Sequence, residues 1–218
     1  MFSKPARKIG PNNRSITGKH ITGKSPTSQH FESALERDHF SLLEYDPDIV
    51  KFTAQPVTIF YSDQGYSRRY TPDVAVYYRP ELERKPLLIE VKYQAELIEK
   101  KDALEPKFNA ARKYAHQNGY EFCVITENEI RTDRLYNIKF LNRYKGQKTD
   151  AGLLQIINNR YAQQATLTPL QLINDPSFEI NDQLLYTLWQ LVADRVLTFD
   201  LDEKITMNTK IWKQQQHR

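Results

Sequence analysis

Between residues 31 and 45 the apolar side chains recur at helical spacing. At about 100° per residue Leu35, Phe40, Leu42 and Leu43 share one arc, and Ser33, Ala34, Arg37, Asp38, Ser41 and Glu44 share the other. The spacing predicts a helix. β-rich runs follow at 49–53, 57–61, 66–71, 73–78 and 86–92, with a turn at Asp63-Gln64-Gly65 and a charged loop over 81–85. Helical periodicity returns over 95–117 and stops at Asn118-Gly119. The next run, 121–126, is apolar enough for a buried strand, and the intervening helix predicts that it lies parallel to its neighbour. Helix, antiparallel strands, helix and strand make an α/β domain over residues 31–130.

After residue 130 the texture changes to helices, expected over 133–144 and 151–161, then at the N-cap and N1-proline pair Thr168-Pro169, then over 182–194 behind Asn181. Leu197, Phe199 and Leu201, a polar turn at 202–204, then Ile205 and Met207 predict a closing hairpin. Three helices and a hairpin suggest an α-rich, winged-helix-like domain over residues 131–218. No internal repeat is visible.

Charge refines the N-terminal boundary. The chain has 31 Lys and Arg against 27 Asp and Glu, a net +4, and six of the basic residues (Lys4, Arg7, Lys8, Arg14, Lys19, Lys24) fall in residues 1–30, which contain no acid. That segment is also rich in Gly, Pro, Ser, Thr and Asn, so it is expected to be a flexible basic arm whose cations contact DNA phosphates. A functionless solvated tail is the plainer alternative. Residues 31–130 carry 13 basic and 18 acidic side chains, and residues 131–218 carry 12 and 9. The lone Cys123 cannot form an internal disulfide, the first residues lack the apolar stretch of a signal peptide, and no run is long enough to span a bilayer. A soluble protein of a reducing compartment is expected.

Chemistry is suggested by carboxylates in apolar settings. Glu32 and Glu36 fall inside the apolar arc of the first helix, where an unpaired carboxylate costs several kcal/mol unless it is protonated, paired or bound to a metal. A rim position reaching water is the plainer reading. Pro72 leaves Asp73 at the start of a strand, and in Leu88-Ile89-Glu90-Val91-Lys92 alternation puts Glu90 and Lys92 on one face. The apolar run 87–89 leading into Glu90 suggests a central strand covered on both faces, where a carboxylate and an amine need a reason. Metal-assisted phosphodiester hydrolysis supplies one. Mg²⁺ takes oxygen ligands, often one or two carboxylates, and a lysine beside them can orient the water or offset charge on the phosphate.

Pro72-Asp73 followed by Glu90-Val91-Lys92 resembles the PD-(D/E)xK signature of restriction-endonuclease-like nucleases. More narrowly, Glu32-Ser33-Ala34-Leu35-Glu36-Arg37, Tyr45-Asp46-Pro47, Gln55-Pro56, Tyr70-Thr71-Pro72-Asp73, Leu88-Ile89-Glu90-Val91-Lys92 and Val124-Ile125-Thr126-Glu127 resemble, in order and approximate spacing, the TnsA endonuclease family. The resemblance covers residues 31–130. It implies a restriction-endonuclease-like nuclease domain in a prokaryotic cytoplasm, within a heteromeric cut-and-paste transposase bound to double-stranded transposon ends. This chain would nick the 5′ strands and a DDE transposase the 3′ strands, under an AAA+ ATPase regulator and, in some systems, a target-selecting or RNA-guided module. It further implies Asp73, Glu90 and Glu36 as ligands of one or two Mg²⁺ ions, with Mn²⁺ able to substitute, and Lys92 as the catalytic lysine. Glu32 stays open as the alternative helix carboxylate, and some members have Gln in place of Glu90. A restriction or repair nuclease of the same fold, and an adaptor with an idle site, are the rival readings.

The remaining motifs are weaker. The histidines lack ligand spacing, Cys123 reads as a structural thiol, and no glycine-rich phosphate loop is present. Lys100, Lys101, Lys107, Arg112 and Lys113 recur on the long helix, either facing a phosphate backbone or paired with its glutamates in solvent. The helix over 182–194 has no Lys or Arg, so protein docking fits the last domain better than reading DNA.

Overall fold

A computed structural model describes residues 2, 6, 16–174 and 181–214. The chain divides into two compact units, Met1–Arg131 and Thr132–Arg218. The first begins with an antiparallel pair, β1 (Gly18–His20) and β2 (Gln29–Phe31). A Cβ at Gly18 would come within 2.5 Å of the Phe31 ring, so a larger residue there would have to displace the ring. Helix α1 (Ala34–Tyr45) starts at Ser33, whose side chain accepts from the Glu36 amide. Then come β3 (Ile49–Ala54), the hairpin β4 (Ile59–Asp63) and β5 (Tyr66–Tyr70), β6 (Val74–Tyr78) and β7 (Leu87–Val91). Gln64 and Gly65 both have positive φ (48° and 81°), the two-residue turn that matches the twist of paired strands. Helices α2 (Gln94–Glu99) and α3 (Lys101–Gln117), strand β8 (Glu121–Ile125) and the short α4 (Glu127–Ile130) complete the unit.

The central sheet has the order β3-β6-β7-β8, antiparallel except for the parallel β7–β8 pair. Alternation assigns its faces. Phe52 and Val76 are cross-strand partners on the face where Phe52 meets Phe40 of α1, their rings 5.4 Å apart. Ala75, Tyr77 and Leu88 lie on the other face against Ala115 of α3. By the same parity Asp73, Glu90 and Lys92 belong to the α3 face.

Three expectations change here. The single helix over 95–117 is two, broken at Lys100, which leaves Pro106, unable to donate a backbone hydrogen bond, near the start of α3 instead of deep in a longer helix. Asp38, assigned to the polar arc, is 3% exposed and paired with Arg131 at 3.1 Å, a partner too distant in sequence for periodicity to reveal. The flexible arm over 1–30 does not hold for its described part. Gln29 is buried and accepts from the Ala54 amide at 2.7 Å, and the Lys24 ammonium bonds the Leu43 and Asp46 carbonyls at the C-terminal end of α1. Lys24 thus closes a helix end where a DNA contact was expected, while Lys19 is exposed on β1. Phe2 stacks on Tyr120 at 5.5 Å, and the Ala6 amide donates to the Gln55 carbonyl at 2.7 Å. Lys4, Arg7, Lys8 and Arg14 lie outside the described residues.

The second unit runs α5 (Asp133–Leu141), α6 (Ala151–Gln163), β9 (Thr166–Leu167), α7 (Pro169–Ile173), α8 (Asn181–Ala193), β10 (Leu197–Thr198) and β11 (Ile211–Lys213). Thr168 and Gln171 form a reciprocal capping box at the start of α7. The three strands pair in the order β10-β11-β9. The hairpin expected within 197–207 is therefore wider, and β10 pairs with 211–213. Buried Asn137 explains the difference: its amide donates to the Leu201 and Glu203 carbonyls at 2.9 and 2.8 Å and accepts from the Ile205 amide at 2.9 Å, so the backbone over 201–205 is engaged by a side chain. In α8, Leu184, Trp189 and Leu191 are core and Leu185 is half-buried.

Two histidines dismissed from their spacing are structural. His39 is 5% exposed with Nδ1 unpartnered, and burial pushes its pKa down to about 3; burial also lowers that of His20, which sits against Phe40 and Phe52. Below the ordinary histidine range the unfolded chain takes up a proton that folded His39 refuses. The stability present above pH ~6.5 is thus lost as pH falls toward about 3, at up to ~1.4 kcal/mol per pH unit. Urea denaturation between pH 7.5 and 4.5 should show this loss, and His39→Leu should make it shallower; an equal slope in the variant would mean that His39 charges without opening the fold.

Candidate active site

The antiparallel register that sets Val74 opposite Ile89 carries Asp73 to the level of Glu90. The Val91 amide donates to Asp73 Oδ2 at 2.7 Å, fixing the carboxylate across the strand pair. Asp73, Glu90 and Lys92 line one cavity of about 640 Å³ together with Ala6, Glu32, Gln55, Thr58, Arg69, Tyr70, Thr71 and Lys107. Asp73, just before β6, and Glu90 and Lys92, in and just after β7, are thus brought together at one end of two adjacent strands.

Glu90 is the most enclosed member, 2% exposed. Its Oε2 accepts from the Tyr70 hydroxyl at 2.6 Å, and its Oε1 lies 2.9 Å from Lys107 Nζ and 3.2 Å from Lys92 Nζ. Those partners offset the desolvation of a carboxylate in a covered sheet. Burial works against the Lys92 charge, but Glu90 and then Asp73 outweigh it and hold the ammonium above its ordinary range. Lys92 is therefore a cation here and not a free base. Burial, reinforced by the charges of Glu90 and Glu36, raises the Asp73 carboxyl well above the ordinary range. Burial and Glu90 likewise keep Tyr70 a phenol.

Glu36 is arranged differently. It is buried, and both of its oxygens serve the start of α1, Oε2 accepting from the Glu32 amide and Oε1 from the Ser33 hydroxyl, each at 2.9 Å. Burial raises its pKa, with charge coupling to Lys92 acting in the opposite direction. Glu32 lines the cavity instead, its Oε2 accepting from Gln55 Nε2 at 3.1 Å. Among the described residues no group of three or more His, Cys, Asp or Glu is gathered closely enough to hold a metal ion. Asp73 and Glu90 are two hard oxygen donors in one cavity, within the count Mg²⁺ takes from a protein.

Sequence reasoning gives no role to Arg69, nor to Tyr70 and Gln55 beyond their place in the quoted motifs, yet all three line the cavity. Gln55 is 3% exposed, has φ 46° and leaves Oε1 without a partner; its position before Pro56 excludes the helical region, but a left-handed backbone there is a tertiary outcome. Lys107 was grouped with the surface cations of the long helix. Lys100 and Arg112 do pair with Glu96 and Glu105 in solvent, yet Lys107 shares the inward face with Leu104 and Ala111 at the i−3 and i+4 positions. Cys123 is half-buried and pushed up to about 11 by burial, which leaves it unreactive as a thiol.

A mixed four-stranded sheet between α1 and α3, with Pro72-Asp73 and Glu90-x-Lys92 meeting across adjacent strands, fits the restriction-endonuclease-like class of nuclease domains. Residues 46–127 match the profile of the family described as TnsA-like endonuclease N terminal. No curated protein matches the chain. A domain of this family implies nuclease activity on DNA within a transposase. No described helix is long and apolar enough to cross a membrane.

Proposed function

We propose that this chain is the divalent-metal-dependent DNA endonuclease subunit of a heteromeric transposase, nicking the 5′ strands at transposon ends beside a DDE transposase and an AAA+ regulator. The observation that carries the reading is the convergence of Asp73, Glu90 and Lys92 in one cavity, on strands whose register sets the two carboxylates level. Asp73 and Glu90 would hold Mg²⁺ or Mn²⁺, which when bound lowers the pKa of a water and offsets charge on the phosphate. Lys92 stays protonated and stabilises the charge that develops on the phosphate oxygens, or orients the attacking water. Arg69, on the cavity wall, is placed to meet the DNA backbone. Glu36 contributes negative potential behind Asp73.

For the second unit we propose a winged-helix-like domain that docks protein. Its order of two helices, a strand, two helices and two strands, with the strands in one sheet, supports the fold. The absence of Lys and Arg from α8, whose apolar residues are mostly core, supports docking over reading of bases.

The experiment combines the full chain, a DDE transposase and an AAA+ ATPase as the proposed partners, and duplex DNA carrying transposon ends. Nicks at the 5′ strands are expected in Mg²⁺ or Mn²⁺ and none in chelator. Cleavage that persists in chelator overturns the metal requirement, and intact DNA with all components present overturns the nuclease reading.

A further inference from the structure

Lys107 has no role in the chemistry described so far, yet it makes the shortest ion pair with Glu90, 2.9 Å from Oε1. It is delivered by α3, on the face that also buries Leu104 and Ala111. Its ammonium lies 5.0 Å from the centre of the Tyr70 ring, and Tyr70 donates to the other oxygen of Glu90. Lys107 and Tyr70 thus hold the carboxylate from both sides, while Lys92 shares Oε1 at 3.2 Å. The side chain of Lys107 is 19% exposed, so its charge is only partly screened by water.

Resting on the nuclease reading above, we propose that Lys107 competes with the catalytic divalent cation for Glu90 Oε1 and, once displaced, turns to the scissile phosphate. The physical reason is charge. A carboxylate oxygen already shared by two ammonium groups attracts a further cation weakly, and a divalent ion seated there repels the nearer ammonium most. Displacement moves that positive charge from the carboxylate toward the only anion that arrives with the metal, the DNA phosphate. Lys107 therefore sets the metal concentration at which the site switches from an internally paired cluster to an electropositive one. Lys92 directly follows β7, its backbone amide held by the Ile125 carbonyl at 3.0 Å, whereas Lys107 reaches Glu90 from α3.

The test is Mn²⁺ titration of the full-length protein by calorimetry, with wild type, Lys107→Met, Lys107→Arg and, as a control on an exposed part of the same helix, Lys113→Met. Lys107→Met should bind Mn²⁺ roughly tenfold more tightly, Lys107→Arg and Lys113→Met about as wild type. A merely structural loss would weaken binding, so tightening has the informative sign. In the nicking reaction Lys107→Met should reach half-maximal rate at lower metal and have a lower rate at saturation. Unchanged or weaker Mn²⁺ binding by Lys107→Met, with wild-type binding intact, overturns this inference alone. Failure of the wild type to bind Mn²⁺ overturns the nuclease reading with it.

Discussion

Asp73→Ala should lower metal-dependent nicking by about 10³-fold or more, equivalent to roughly 4 kcal/mol of transition-state stabilisation. Asp73 precedes β6, is held by the Val91 amide, and faces Glu90 across the strand pair, so no neighbouring side chain can replace its oxygens from the same position. The companion Asp73→Asn separates function from folding. Asn keeps an acceptor for the Val91 amide but removes a charge that burial, Glu90 and Glu36 all disfavour. It should be as inactive as the alanine variant and melt no lower than wild type. That combination marks a residue held for chemistry at the expense of stability. Nicking retained by both variants would remove Asp73 from the site.

Phe40→Ala should destabilise the first unit by about 3–5 kcal/mol. Phe40 is fully buried, with its ring 5.4 Å from Phe52 on β3 and 5.9 Å from His20 on β1, so truncation opens a cavity where helix, sheet and N-terminal hairpin meet. Phe40→Leu should cost less because it refills part of that space. Urea denaturation reads both. A loss below about 1 kcal/mol for Phe40→Ala would mean that α1 is not clamped to the sheet by this ring. Because α1 carries Glu36 and Asp38, the same variant should also lower nicking at temperatures where wild type is fully folded.

The carboxylates of the site were legible because they break local rules. Glu90 follows three apolar residues in a strand with no room for a solvated face, and Asp73 sits behind a proline that cannot serve the middle of a sheet. Alternation then required Glu90 and Lys92 to share a face. The partners of those groups were not legible. Tyr70 reaches Glu90 from 20 residues upstream and Lys107 from 17 downstream, and Arg131 meets Asp38 across 93 residues. Nothing in the local pattern of α3 separates Lys107 from Lys100 or Arg112 unless the buried stripe of the helix is known first.

Composition misled at the N-terminus for a related reason. A stretch rich in glycine, lysine and hydroxyl residues has too little apolar surface to fold alone, but residues 18–31 do not fold alone: Gln29 completes the hydrogen bonding of Ala54 and Lys24 closes the end of α1.

By itself the sequence determined the order and type of most elements, the parallel setting of β8 and the candidate status of Asp73, Glu90 and Lys92, because periodicity of two or 3.6 residues and a misplaced charge are local properties of the chain. Only the tertiary structure decided that Glu90 is shared by two lysines and a tyrosine, that Glu32 and not Glu36 lines the cavity, and that Asn137 replaces a strand ladder in the second unit. Each of these depends on which distant side chain meets a desolvated polar group, and that is settled by packing in three dimensions.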